Sequence, residues 1–151
     1  MALDHGTKKI GIAFSDEMEI LASPFDVWPQ EGDNSLRKLA RLAKDEGVQA
    51  LLVGLPRHKD GAESGTAPLA RAFGEELASL TSLPLRFGDE HLSSVEAGRL
   101  LAERGVKPKD RKAKLDAAAA AVILNDFIER RRAAKVPVSE PGPELSGKSQ
   151  R

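Results

Sequence analysis

Four acids stand where an apolar core would reject them. Asp4 ends the apolar pair Ala2 and Leu3, Asp89 and Glu90 follow the strand-like segment Leu83 to Phe87, and Asp116 sits in the final helical pattern. Positions four, seven and eleven beyond Asp116 are Ala120, Ile123 and Phe127, which puts this acid on or beside a buried stripe. An ionised carboxylate buried alone is strongly disfavoured, so each of these needs a cationic partner or a metal. Several acids gathered at one end of a sheet would repel one another. A hard divalent cation resolves that repulsion, because Mg²⁺ and Mn²⁺ take oxygen ligands in octahedral geometry. Two such ions a few ångströms apart would clamp the attacking water and the leaving oxygen of a phosphodiester. His5, His58 and His91 are scattered and there is no cysteine, so the donors fit Mg²⁺ or Mn²⁺ and not zinc. Singly, each acid has a plainer role. Asp4 could open a turn, Asp89 or Glu90 could favour a helix N-terminus, and Asp116 could cap a helix beginning at Ala117. The metal reading rests on their joint occurrence.

The elements that must position these acids can be read from periodicity. Ala2 and Leu3 lead into Asp4 as a short strand, His5 to Lys8 turn the chain, and Lys9 to Ser15 places Ile10, Ile12 and Phe14 on one face. A third strand is expected over Ser23 to Trp28, then a loop over Pro29 to Asp33. Asn34 or Ser35 caps a helix to about Glu46, stopped by Gly47. Gln49 to Val53 reads as a strand buried on both faces. Gly54 to Gly65 is a long polar loop, and Thr66 caps a helix with Pro68 in its first turn that runs to Leu80. Leu83 to Phe87 is a strand, Ser93 to Glu96 a capping box opening a helix to Arg104, and Arg111 to Ala133 the last helix. The expected fold is α/β: a three-stranded antiparallel meander, then parallel strands added through right-handed helical crossovers. Residues 1–134 form one domain, and the Pro-, Gly- and Ser-rich residues 135–151 read as a disordered tail.

Composition bounds the function. The 151 residues suit one domain and are 40% apolar, and the longest uncharged apolar run, Ala117 to Leu124, is too short to span a bilayer. The absence of cysteine and of a basic-then-apolar leader leads to the expectation of a cytoplasmic protein with no membrane partner. Acidic and basic residues balance at 23 each, with a pI near 6.9, which excludes a globally basic nucleic-acid binder but not a basic patch. One patch is plain: Lys107, Lys109, Arg111, Lys112 and Lys114 lie within eight residues leading to Asp116. A basic run there suits a phosphate track. Arg57, His58 and Lys59 follow a buried strand, where substrate-facing loops sit, whereas Arg130 to Arg132 read as a solvated surface. Phe14, Phe25, Phe73 and Phe127 fall on apolar faces and are expected in the core. With so few aromatics, recognition by backbone shape is favoured over base stacking.

The motifs, in order, resemble one family. Asp4-His-Gly-Thr-Lys-Lys-Ile-Gly-Ile-Ala-Phe-Ser-Asp16 is similar to the opening segment of the YqgF/RuvX family, and Val53-Gly-Leu-Pro56 to its second motif. Asp89-Glu-His-Leu-Ser-Ser94 and Lys114-Leu-Asp-Ala-Ala-Ala119 are similar to its third and fourth. The resemblance implies an RNase H-like fold and a nuclease, either maturing the 5′ end of the small-subunit (16S) rRNA precursor or resolving Holliday junctions in branched DNA. It also implies that Asp4, Glu90 and Asp116 are the catalytic, metal-binding acids, with Asp89 beside them, and that the ions are Mg²⁺ or Mn²⁺. Lys8, Lys9, Arg57, Lys59 and His91 join the 107–114 segment as candidate nucleic-acid contacts. His91 departs from the family pattern, which has Arg there, so a fixed charge becomes one that titrates near neutrality.

Two other functions compete with the nuclease. A phosphotransferase of the actin and sugar-kinase type would need a second copy of the fold, and a P-loop is absent because Ile12 and Ala13 stand where Lys and Ser or Thr are required. A non-catalytic nucleic-acid-binding module is countered by the survival of all the acids. A junction resolvase would call for a C₂ homodimer, while an RNA-trimming enzyme can act as a monomer.

Overall fold

The computed structural model describes residues 1–56, 65–89 and 93–134. The strands are β1 (Ala2–His5), β2 (Lys9–Ser15), β3 (Ala22–Pro29), β4 (Leu51–Leu55) and β5 (Leu85–Asp89). The helices are α1 (Asp33–Asp45), α2 (Ala67–Thr81), α3 (Ser93–Glu103) and α4 (Pro108–Ala134). The five strands form one mixed sheet in the order β3-β2-β1-β4-β5. β1, β2 and β3 make the antiparallel meander, and β4 and β5 add in parallel, as the sequence order implied.

Strand alternation divides the sheet into two faces. Leu3, Ile10, Ile12, Leu51, Val53 and Leu55 point to α1 and α2, where they pack with Leu36, Leu39, Phe73 and Leu77. Ala2, Ala13 and Leu52 point the other way, onto Ala120, Ala121, Leu124 and Ile128 of α4. The alanine run explains how α4 fits between two neighbours. Ala118 and Ala119 meet Ala97 and Leu101 of α3, while Ala120 and Ala121 meet the sheet, so small side chains let the helix lie close on both sides.

Local details depart from the sequence reading in five places. Arg131, expected with Arg130 and Arg132 on a solvated surface, is buried with its guanidinium over the Phe127 ring, on the side of α4 that packs inward. Neither Asn34 nor Ser35 caps α1; the cap position is Gly32, at φ 60°. Ser35 is buried and its Oγ is used elsewhere, accepting from the Glu31 amide at 2.7 Å and donating to the Pro29 carbonyl at 3.1 Å. The parallel strands sit two residues later than expected, because the ladder between β4 and β5 runs from Leu51 and Leu85 to Leu55 and Asp89. The last helix starts at Pro108, so the basic segment forms its first turns and Asp116 lies well inside it, not at its N-cap. Finally, Phe25 is 48% exposed. The β2–β3 ladder pairs Ile12 with Asp26 and Ala13 with Pro24, leaving Phe25 as the extra residue of a bulge turned out of the core. Phe73 and Phe127 are buried as expected. Expectations for residues 57–64, for Glu90 and His91, for the Ser93 cap and for the tail lie outside the described residues.

Candidate active site

The sheet brings Asp4 and Asp116 to one place through a glycine. Asp4 is directly opposite Gly11 in the β1–β2 ladder, so the two share a face. A Cβ on Gly11 would stand 2.7 Å from the Ala117 nitrogen and still closer to the carbonyl of Asp116. No side chain fits there. The backbone of α4 at Asp116 therefore rests on β2 beside Asp4, and Asp4, like Ala2, points to the α4 side of the sheet. Both acids are half-buried.

From β2 to β5 the rest of that row is also bare of side chains. β1 and β4 pair Leu3 with Val53; one residue on, Asp4 stands beside Gly54, which pairs with Gly88 of β5. Across β2, β1, β4 and β5 the row thus reads Gly11, Asp4, Gly54, Gly88, and Asp4 is the one side chain there; Val27 of β3, paired with Gly11, closes the row at the sheet edge. Oxygen donors with no bulky neighbours suit a hard cation and a phosphate. Asp89 is one residue further along β5, paired with Leu55. By alternation it shares the face of Phe87 and Leu55, the α2 side, and so stands across the sheet from Asp4. No group of three or more metal-ligating side chains occurs among the described residues, and Glu90 is not one of them.

The turn after Asp4 is held from both ends. The Gly6 amide donates to the Lys9 carbonyl at 2.9 Å, and a Cβ on Gly6 would stand 2.7 Å from that same oxygen. The Gln30 amide donates to the Lys8 carbonyl at 2.9 Å. Its side chain accepts from the Gly32 amide at 2.9 Å through Oε1 and places Nε2 2.9 Å from His5 Nε2. With Oε1 so occupied, Nε2 donates and His5 accepts, which requires a neutral imidazole. His5 also stacks on Phe73 at 4.6 Å. Desolvation by burial lowers its pKa, against a smaller opposing effect of a hydrogen bond to its own backbone. The neutral ring and the donor amide agree.

Lys8 and Lys9 are exposed on this turn, and Lys107, Lys109, Lys112 and Lys114 are exposed at the start of α4, whose N-terminus adds its own positive field. Arg111 is partly committed to structure, since its Nε donates to the Val106 carbonyl at 2.8 Å. Arg57, Lys59 and His91 are not among the described residues. Sequence reasoning passed over Gly11, His5 and Gln30. For Gly11 a signal existed, because an isolated glycine inside an alternating strand marks close backbone approach. For the His5–Gln30 pair, 25 residues apart, there was none.

Known proteins share this arrangement of elements. Residues 1–130 match the family model described as RuvX, Holliday junction resolvase. A Roseiflexus relative provisionally named a pre-16S rRNA nuclease is 38% identical over 133 residues, covering 87% of this chain and 94% of the relative. Relatives of the same provisional name from Symbiobacterium thermophilum and Paracoccus denitrificans are 39% and 40% identical, covering 91% and 86% of this chain and 95% and 83% of theirs. Among solved structures, Thermus thermophilus RuvC in complex with a Holliday junction substrate superposes with a TM-score of 0.53 at 14% identity, covering 87% of this chain and 93% of that one. At that identity the likeness speaks to the RNase H-like fold. The chain belongs to the RuvX Holliday junction resolvase family.

Proposed function

We propose that this protein is a divalent-metal-dependent nuclease that hydrolyses a phosphodiester in the precursor of the small-subunit (16S) rRNA. One observation carries the site assignment: the missing Cβ of Gly11 lets the backbone of Asp116 rest on the residue paired with Asp4. Asp4 and Asp116, joined by Glu90 from the segment after β5, would hold Mg²⁺ or Mn²⁺, with Asp89 supporting that strand end from the other face. The half-buried acids and the glycine row fit a hard cation: they offer oxygen donors and nothing softer. Such a cation supplies Lewis-acid stabilisation of charge on the scissile phosphate and lowers the pKa of attacking water. The protein's own part is orientation. Asp4 is fixed by its ladder and by the turn that Gln30 braces, and Asp116 by the helix that Gly11 admits. Lys8, Lys9, Lys109, Lys112 and Lys114 neutralise flanking phosphates and set the path of the strand, with Arg57, Lys59 and His91 as further candidates.

The family description supports a second reading, cleavage of a four-way DNA junction, which would call for a C₂ homodimer. A panel of a precursor rRNA leader, single-stranded RNA, single-stranded DNA and a four-way junction, each with Mn²⁺ or Mg²⁺, separates the two. Cleavage of the leader, abolished in Asp4→Asn, is the expected result. Paired symmetric nicks in the junction would favour the second reading. Intact binding with no cleavage of anything would leave a nucleic-acid-binding module instead.

A further inference from the structure

At the end of the sheet away from Asp4, apolar side chains gather on the surface. Four of the seven large hydrophobics exposed among the described residues fall within eight positions: Met18 at 77%, Ile20 at 51%, Leu21 at 54% and Phe25 at 48%. Single exposed hydrophobics need no account, but a cluster marks a contact surface. The ring of Phe25 meets Phe14 edge to face at 5.0 Å. Phe14 in turn lines a cavity of about 370 Å³ walled by Leu52, Leu124, Phe127 and Ile128. Asp16, Glu17, Glu19 and Glu46 also line this cavity, against Arg86. At this end of α4, Arg130 pairs with Asp126 at 3.3 Å, and Arg131 is buried over Phe127.

We propose that this surface docks a basic, apolar-bearing protein segment. An apolar side chain of the segment enters the cavity, its neighbours cover Met18 and Leu21, and its Lys or Arg side chains meet Glu17, Glu19 and Glu46. Charge selects this occupant. Nucleic acid and an anionic membrane would be repelled by the acids, and a two-fold contact with a second copy would set the same acids against each other. The proposal rests on the rRNA-processing reading for the source of the partner. Proteins bound to precursor RNA are rich in Lys and Arg because they neutralise phosphate. A nuclease with few residues suited to reading bases gains selectivity by docking on one of them.

The test uses the full chain and the small-subunit precursor particle, compared with the same precursor RNA stripped of protein. Wild type, Met18→Ser/Leu21→Ser and Glu17→Lys/Glu19→Lys are each assayed on both. The expected result is naked-RNA cleavage within twofold of wild type for both variants, and particle cleavage reduced at least tenfold. Equal particle cleavage by all three overturns the proposal. A second measurement does not depend on cleavage. Asp4→Asn protein carrying photoreactive benzoylphenylalanine in place of Met18 is irradiated with the particle. A crosslink to a particle protein, abolished by Glu17→Lys/Glu19→Lys, is expected. A crosslink to RNA, to a second copy or within the same chain, or no crosslink, overturns docking. If wild type leaves naked RNA and particle intact, the nuclease reading fails, and the crosslink still decides the docking.

Discussion

The two ends of the sheet are built on opposite plans. At the end holding Asp4, glycines clear the row, carboxylates turn inward and lysines stand outside. At the other end, carboxylates and apolar side chains are outside, on the β2–β3 turn and the edge strand, and the interior is hydrocarbon. α4 joins them, running from lysines at its start to Leu124, Phe127 and Ile128 at the far cavity. The chain's formal net charge of zero conceals this segregation. What governs a partner is the local field, not the sum.

The sharpest way to break the contrast is to remove an inward carboxylate. Asp4→Asn or Asp116→Asn is expected to lower single-turnover cleavage on the order of 10³-fold or more, as removing a member of a catalytic group does. Melting temperature should hold within a few degrees. A variant that keeps near wild-type cleavage would remove that acid from the site.

Next in size is Gly11→Ala. Its Cβ would press on the backbone of Asp116, so about 1–3 kcal/mol of stability is expected to go, as in other overpacked cores. Displacing Asp116 should cost about 10²-fold in rate. Gly47→Ala is the control: it has φ 68° and nothing within 4 Å. It should lose only about 1–2 kcal/mol of stability to left-handed strain, with cleavage unchanged. Denaturant melts and single-turnover rates on both variants check the pair.

Lys109→Ala/Lys112→Ala/Lys114→Ala tests the outer lysines. If each neutralises a phosphate, the slope of log affinity against log salt on single-stranded RNA should fall by about 0.7 for every lysine removed. The rate at saturating substrate should change little. An unchanged salt slope would show that the start of α4 does not carry the strand.

The smallest effect concerns His5. Its folded pKa lies below the ordinary 6.5 because burial disfavours the charged ring. Below that ordinary value the unfolded chain takes up a proton that the folded chain still refuses, so stability falls as pH drops through 6.5 toward the folded pKa. Above neutrality the contribution is fully present. His5→Phe, which keeps a ring against Phe73, should flatten that part of the stability–pH curve in urea melts. An unchanged curve would mean that His5 is not the group responsible.

Much of the site is legible in the chain before any fold is known. Asp4 and Asp116 are marked by being acids at the edge of apolar patterns, and the lysines by their spacing. Which acids would meet is not legible. Asp89 and Glu90 are neighbours in sequence, yet strand alternation sets Asp89 across the sheet from Asp4. The basic segment reads as a lead into the last helix, but it is the helix's own first two turns, because Pro108 at its start removes a donor that would be unsatisfied there anyway.

The sequence by itself determined the element order and the mixed sheet and picked out the candidate acids, because periodicity and turn chemistry are local properties. Only the tertiary structure decided that Gly11 is the seat of Asp116, that Gln30 braces the turn after Asp4, and that Phe25 faces outward. Each of those depends on register between segments distant in the chain. A shift of one residue exchanges the two faces of a strand, and no local pattern in β3 announces the bulge that turns Phe25 out.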